Sequence, residues 1–232
     1  MARDPRLGAV KTRLTAGNAF SQSEARQVAW IMLRGIALRL QEAASRLVLA
    51  VTPDDGGAEL AVELGLAGDR VEVLGQGPGD LGRRLDHVWR QVGTSGPVAF
   101  FGGDSPDIPA AALAAIPATL ATSDIAIGPT NDGGYWTLAA AKHRPEVLVQ
   151  IDWGSACVYD QTRRRALDAG LVVGSLPLWH DVDHPGDVKA LRLRLRQLPR
   201  IASGQPDGAD PSHWMAEQLD RLEPSNSPST PS

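Results

Sequence analysis

Pro97-Val98-Ala99-Phe100-Phe101, running straight into Gly102-Gly103-Asp104-Ser105-Pro106-Asp107-Ile108-Pro109, is the stretch on which the reading of the fold turns. A short apolar run closed by glycines reads as a buried strand. The aspartate just beyond it lies where open α/β sheets bind ligands, outside the carboxyl ends of their strands. Two more acidic, turn-rich segments follow, Asn131-Asp132-Gly133-Gly134-Tyr135 and Asp181-Val182-Asp183-His184-Pro185. If the three converge on one sheet edge, they suit a site that holds a divalent cation against phosphates.

Working outward, helical and strand patterns alternate. Apolar residues at Ala25, Val28, Ala29, Met32, Leu33, Ile36, Ala37 and Leu40 repeat with helical spacing and predict a long amphipathic helix over Ser23 to Ala44. Strands are expected at 46–52, 71–74, 97–101, 124–127, 135–141 and 171–176. Helices are expected from Ala58, and over 80–92, 109–120, 159–169 and 185–198. Strands separated by helices imply a mainly parallel sheet covered on both faces. Beyond Pro199 the composition turns to a linker, a short possible helix at 211–222 and a Ser/Pro-rich tail from Ser225 that lacks the apolar residues to fold. The expected organisation is one nucleotide-binding α/β domain over 1–198, then an appendage over 199–232.

The 232 residues, 43% hydrophobic and 22% charged, suffice for one domain with a real core. A net charge of -4 argues against a nucleic-acid partner, which needs a basic face. One cysteine, Cys157, excludes an intrachain disulfide and a cysteine-rich zinc site, and a packing role is expected for it. There is no signal-like apolar start and no run long enough to span a membrane. A cytoplasmic protein is the expectation, with the oligomeric state left open.

Each candidate residue carries two readings. Asp104 can ligate Mg²⁺ or Mn²⁺, or cap the following helix; Ser105, Pro106 and Asp107 shape its turn, and Ser105 is a further nucleotide-binding candidate. Lys11 and Arg13, in Gly8-Ala9-Val10-Lys11-Thr12-Arg13-Leu14, can bind a pyrophosphate or stand as solvated loop charges. The loop lacks Walker A spacing. In Gln76-Gly77-Pro78-Gly79-Asp80-Leu81-Gly82, the glycines let backbone approach a flat base and Gln76 offers donor and acceptor. The alternative there is an ordinary turn with Asp80 as N-cap. Asp132 can orient an acceptor hydroxyl or take its proton, or simply serve a hairpin turn. Asp183 is a second metal-ligand candidate, on the same side as Asp181. Asp187 suits the start of a helix, and His184 reads as an exposed turn residue. The arginines at 163–165 and at 192, 194 and 196 are expected on solvated helix faces.

Taken in order, Gly8-x-Val10-Lys11-Thr12-Arg13-Leu14, Gln76-x-x-Gly79-Asp80-Leu81-Gly82, Gly103-Asp104-Ser105-Pro106-Asp107-x-Pro109, Asp132-Gly133-Gly134-Tyr135, Trp153 and Asp181-Val182-Asp183-x-Pro185 resemble the DUF2064 family over Ala2 to Leu198. That family is glycosyltransferase A-like and resembles nucleotide-diphospho-sugar transferases; one subgroup is named for arsenosugar biosynthesis. The resemblance implies a GT-A-type, Rossmann-like sheet. It implies Lys11 and Arg13 on phosphates, the segment from Gln76 through Gly79, Asp80, Leu81 and Gly82 beside the base, Asp104 on the metal, and Asp132 on the acceptor side. Two departures stand out. Met1 to Pro5 looks like only the end of the family's apolar first strand, which suggests a start inside the natural reading frame or a truncated relative. Trp153-Gly154-Ser155 replaces the family's Trp-Ser-Thr.

Three functions follow as expectations. The first is a glycosyltransferase that moves a sugar from a nucleotide sugar to a small-molecule acceptor with Mg²⁺ or Mn²⁺, Lys11 and Asp132 being the catalytic candidates. The second is a nucleotidyltransferase, in which a phosphorylated acceptor attacks an NTP and releases pyrophosphate. The third is a noncatalytic nucleotide-binding protein. One base pocket and one set of cations serve all three.

Overall fold

The computed structural model describes residues 1–93, 96–198 and 210–222. The linker at 199–209 and the tail from Ser225 lie outside the described residues.

The strands are β1 (Ala2–Arg3), β2 (Leu47–Thr52), β3 (Val71–Gly75), β4 (Val98–Phe101), β5 (Ile125–Pro129), β6 (Tyr135–Ala140) and β7 (Val173–Ser175). The α-helices are α1 (Gln22–Ala43), α2 (Gly57–Glu63), α3 (Leu81–Val92), α4 (Ala110–Leu120), α5 (Val158–Asp168), α6 (Pro185–Gln197) and α7 (Pro211–Asp220). A turn of 3-10 helix over Thr12–Asn18 follows the Lys11 loop. β1, β2 and β3 form a parallel sheet in that order, and β4-β6-β5-β7 form a second. Only β6 runs against its neighbours, antiparallel to β4 and β5, while β5 and β7 are parallel. The α/β class with a mainly parallel sheet is thus observed, with one reversed strand that the alternation of patterns did not announce.

Burial alternates along the strands and sorts the helices onto two faces. Ile125, Ile127, Leu138 and Ala140 pack with Leu85, Val88 and Trp89 of α3 and Ala166 of α5. The intervening Ala126 and Ala139 pack with Ile36 and Leu40 of α1 and Ala112 and Ile116 of α4. On β2, Leu49 and Val51 face α1 and α2, whereas Ala50 faces α3. A third cluster joins α1, α6 and α7 through Met32, Leu191, Met215 and Leu219.

Two expectations need correction. Cys157 is exposed at the start of α5, so it has no packing role. The α6 arginines are not a solvated row. Arg192 donates to the carbonyls of Leu219 and Leu222, Arg196 pairs with Asp220 at 2.7 Å, and Arg194 reaches the buried Asp107 at 2.6 Å. These contacts tie α6 to α7 and to the Asp104 turn. No helix of the described residues is long and apolar enough to cross a membrane.

Candidate active site

The ends of β1, β2, β3 and β4 open into a cavity of ≈ 660 Å³, whose lining includes Lys11, Arg13, Gln76, Leu81, Asp104 and Asp183. Strands aligned in parallel bring their carboxyl ends together, so residues from distant segments meet there. Arg3 and Arg84 also line it; sequence reading missed both, since an isolated arginine gives no periodic signal.

Lys11 is the hinge of the site. It adopts a left-handed backbone (φ 49), uncommon for a residue with a side chain, at the entry to the 3-10 turn. Its side chain is only 10% exposed, and Nζ lies 2.5 Å from Asp104 Oδ1 and 2.8 Å from Asp183 Oδ1. Nζ also donates to the Val182 carbonyl at 2.6 Å. Burial works against the ammonium, but the two carboxylates outweigh it and hold Lys11 above its ordinary range. Arg13 adds a contact to Asp183 Oδ2 at 3.0 Å. Burial raises Asp183, yet Lys11 and Arg13 together keep it below the usual carboxylate range. Lys11 is therefore no solvated loop charge.

Asp104 does not cap a helix: α4 begins after Pro109, and the Asp104 carboxylate goes to Lys11 instead. Its backbone carbonyl accepts from Val182 N at 2.9 Å, joining the first and third acidic segments. Beneath them, buried Asp107 accepts from Trp179 Nε1 at 3.2 Å and from Arg194 Nε. Arg39 of α1 donates to the carbonyls of Pro106 and Ile108. Trp179 bridges to Thr130 in turn, which brings the second segment alongside. Ser105 is buried and, unlike Asp104, does not line the cavity.

The second and third segments meet in the carboxylates of Asp132, Asp181 and Asp183, whose nearest oxygens lie within 4.8 Å of one another. Asp132 Oδ1 is fixed by Thr130 Oγ1 at 2.6 Å and by Gly134 N at 2.9 Å. Gly133 (φ +87) permits this turn, because a Cβ there would lie 1.9 Å from the Ala156 carbonyl. Burial, then the charge of Asp132, pushes the Asp181 carboxyl above its ordinary value. Three carboxylate oxygens gathered this closely suit a hard dication such as Mg²⁺ or Mn²⁺. Sequence spacing paired Asp181 with Asp183 but not Asp132 with both.

The proposed base-side segment divides. Gln76 is buried, its Nε2 donating to the carbonyls of Ala2 at 2.8 Å and Ala50 at 2.9 Å. Asp80 is the N-cap of α3, accepting from Arg83 N at 2.9 Å, as the turn reading had it. Gly82 packs under Trp153: a Cβ there would meet the Leu148 carbonyl at 2.4 Å and Trp153 Nε1 at 2.8 Å. Gly79, Asp80 and Gly82 are not in the cavity wall, whereas Gln76 and Leu81 are. At the third segment, Asp187 accepts from His184 N at 2.7 Å and Asp183 N at 3.1 Å, a helix-start role that also orients Asp183.

Residues 36–155 match the family described as "Uncharacterized protein conserved in bacteria (DUF2064)". The chain belongs to that family. Among solved structures it is similar to a "putative nucleotide-diphospho-sugar transferase" from Desulfovibrio desulfuricans G20, at 27% identity and a TM-score of 0.74, with 94% of this chain and 95% of that chain covered. An inositol-1-phosphate CTP transferase from T. maritima aligns at 15% identity and a TM-score of 0.49, covering 91% of this chain and 92% of that chain. No curated protein matches the sequence.

Proposed function

We propose that this protein is a metal-dependent transferase whose donor is a nucleotide-activated sugar, bound in the cavity at the ends of β1 to β4. One observation carries the reading. Lys11 and Arg13 contact Asp183 of a three-carboxylate cluster, and Arg3 and Arg84 line the same cavity, so a diphosphate and a dication can be held edge to edge. The resemblance to the Desulfovibrio protein over nearly the whole chain supports it.

In this reading Asp181, Asp183 and Asp132 hold the metal, the grouping favouring Asp132 as a ligand over a proton acceptor. A dication bound there would neutralise charge that builds on the leaving diphosphate. Lys11 and Arg13, with Arg3 and Arg84, take the phosphate oxygens. Lys11 must then exchange its contact with Asp104 for one with phosphate, which frees Asp104 as a further oxygen donor beside Asp183. Gln76 and Leu81 stand nearest the base. The acceptor approaches from the exposed Asp132 side, where β6 begins. The cytoplasm is the setting we assign.

Nucleotidyl transfer to a phosphorylated acceptor is the second reading, favoured by the number of cations around one cavity. Incubating the protein with Mn²⁺ and panels of nucleotide sugars and NTPs separates them. Release of nucleoside diphosphate from a nucleotide sugar supports glycosyl transfer, and release of pyrophosphate from an NTP supports the second reading. Loss of neither activity in Asp181→Asn would remove the carboxylate cluster from the chemistry.

A further inference from the structure

Asp107 lies three residues past Asp104, and its side chain is only 1% exposed. It belongs neither to the cavity wall nor to the carboxylate cluster. A charge so far from water costs desolvation, and apolar side chains of similar volume often stabilise a core as well or better. Stability alone therefore gives no reason for a carboxylate at this position. Its contacts do: Trp179 Nε1 donates to Oδ1 at 3.2 Å, and Arg194 Nε donates to Oδ2 at 2.6 Å. Each oxygen has its own donor from a different element, so direction is fixed as well as attraction.

The two donors lead to the other acidic segments. Trp179 N donates to the Pro129 carbonyl at 3.0 Å, and Trp179 bridges to Thr130, whose Oγ1 donates to Asp132. The same stretch of chain then continues through Asp181 to Asp183. Arg194 stands in the last turn of α6, while Asp187 in the first turn of that helix accepts from the Asp183 and His184 amides. A continuous helix held at one end carries its other end with it. On the first segment, the Asp104 carbonyl accepts from Val182 N at 2.9 Å, and Arg39 of α1 grips the turn by the Pro106 and Ile108 carbonyls. Asp104, Asp132, Asp181 and Asp183 thus all trace back to one buried carboxylate.

We propose that Asp107 is a positioning residue: its charge, held between Trp179 and Arg194, sets the register in which the three acidic segments present Asp104, Asp132, Asp181 and Asp183 at the site. It acts only through its partners. Without the charge, Arg194 keeps a buried cation with no counterpart and Trp179 loses a strong acceptor, so 179–183 is released from the turn at 104–108. The use of this register to seat a dication rests on the transferase reading; the register itself does not.

The test reads two quantities well below the melting temperature of each variant. One is hydrogen exchange of the Val182 amide relative to the Leu138 amide in the central strand β6, which needs no metal and corrects for global stability; the other is Mn²⁺ affinity by titration. Asp107→Asn should raise the exchange ratio and weaken Mn²⁺ binding by about tenfold or more each. Trp179→Phe, which keeps a ring and loses the donor, should move both by about threefold. Arg194→Lys keeps the charge and should stay nearer the parent than Arg194→Gln. Met215→Ala, destabilising but remote from the network, should move neither. A raised exchange ratio in a protein whose parent binds no Mn²⁺ would keep the positioning role and end the metal reading. The proposal is overturned if the ratio is unchanged in Asp107→Asn and Trp179→Phe, if both bind Mn²⁺ as a Mn²⁺-binding parent does, or if Met215→Ala moves both quantities equally.

Discussion

Replacing Lys11 with Met removes the cation that ties Asp104, Asp183 and the Val182 carbonyl while keeping most of the buried stem. The substitution should push two binding reactions in opposite directions. Nζ is nearly buried and bonded to a carbonyl and two carboxylates, but Asp104 is 60% exposed and its share is screened. We therefore expect a loss of ~2–3 kcal/mol at pH 7, well below the upper range for a fully buried pair. For a domain of this size that lowers Tm by about 5–10 °C. The sign with pH is fixed by both partners. Lys11 is raised above its ordinary 10.5, so its contribution is present below that value and lost as pH climbs through the folded value. Asp183 is lowered from 3.8, so its contribution is present above 3.8 and lost as pH falls through the folded value. The difference between Lys11→Met and the parent should hold between those limits and close in acid. In binding, one positive charge fewer about 5 Å from a dication seated on the cluster is ~7 kcal/mol at an effective dielectric near 20 and ~2 kcal/mol at that of water, and exposure of the site sets the effect at ~1–2 kcal/mol. Mn²⁺ alone should then bind about 5–30 times more tightly, while a nucleoside diphosphate binds more weakly. Calorimetric titration of each ligand reads both. If Mn²⁺ and diphosphate affinities move together, Lys11 does not sit between metal and phosphate.

Gly133→Ala forces a Cβ against the Ala156 carbonyl at a positive φ and should cost more than about 2 kcal/mol; Mn²⁺ affinity should fall with it, as titration would show. Met215→Ala empties a fully buried position between α1, α6 and α7. A loss of about 2–4 kcal/mol in urea unfolding is expected, with nucleotide binding unchanged. For Asp4, burial raises the carboxyl, but hydrogen bonds from Arg6 outweigh it and hold it below 3.8. Its stabilisation is thus present above 3.8 and lost as pH falls through the folded value, so Asp4→Asn should cost about 1–3 kcal/mol at pH 7. Acid unfolding curves of mutant and parent should converge below pH 3.8, as pH falls through the folded value of Asp4.

Much of this fold is legible in the sequence because apolar spacing carries it. The α1 stripe from Ala25 to Leu40, the apolar runs of β2 and β4, and the helix-start signals at Asp80 and Pro185 set element type and place within a residue or two. The reversal of β6 escaped, because a strand buried on both faces looks the same in either direction and only the short turn at 130–134 distinguishes it. At the site, Lys11, Asp104 and Asp183 were found through charge set in turns beside strand ends. Their mutual pairing was not, since Lys11 and Asp183 are 172 residues apart and nothing local links them. Asp107 and Arg194 show the same limit: a buried ion pair reads as two surface charges until the fold joins them.

Calorimetric binding of a nucleoside diphosphate to the unmodified protein, with and without Mn²⁺ and beside Asp181→Asn and Asp183→Asn, tests the central claim most directly. The account predicts that Mn²⁺ strengthens diphosphate binding at least tenfold, that either substitution removes most of that gain, and that binding of the free nucleoside is indifferent to the metal. Diphosphate affinity that is the same with and without Mn²⁺ in all three proteins would contradict it.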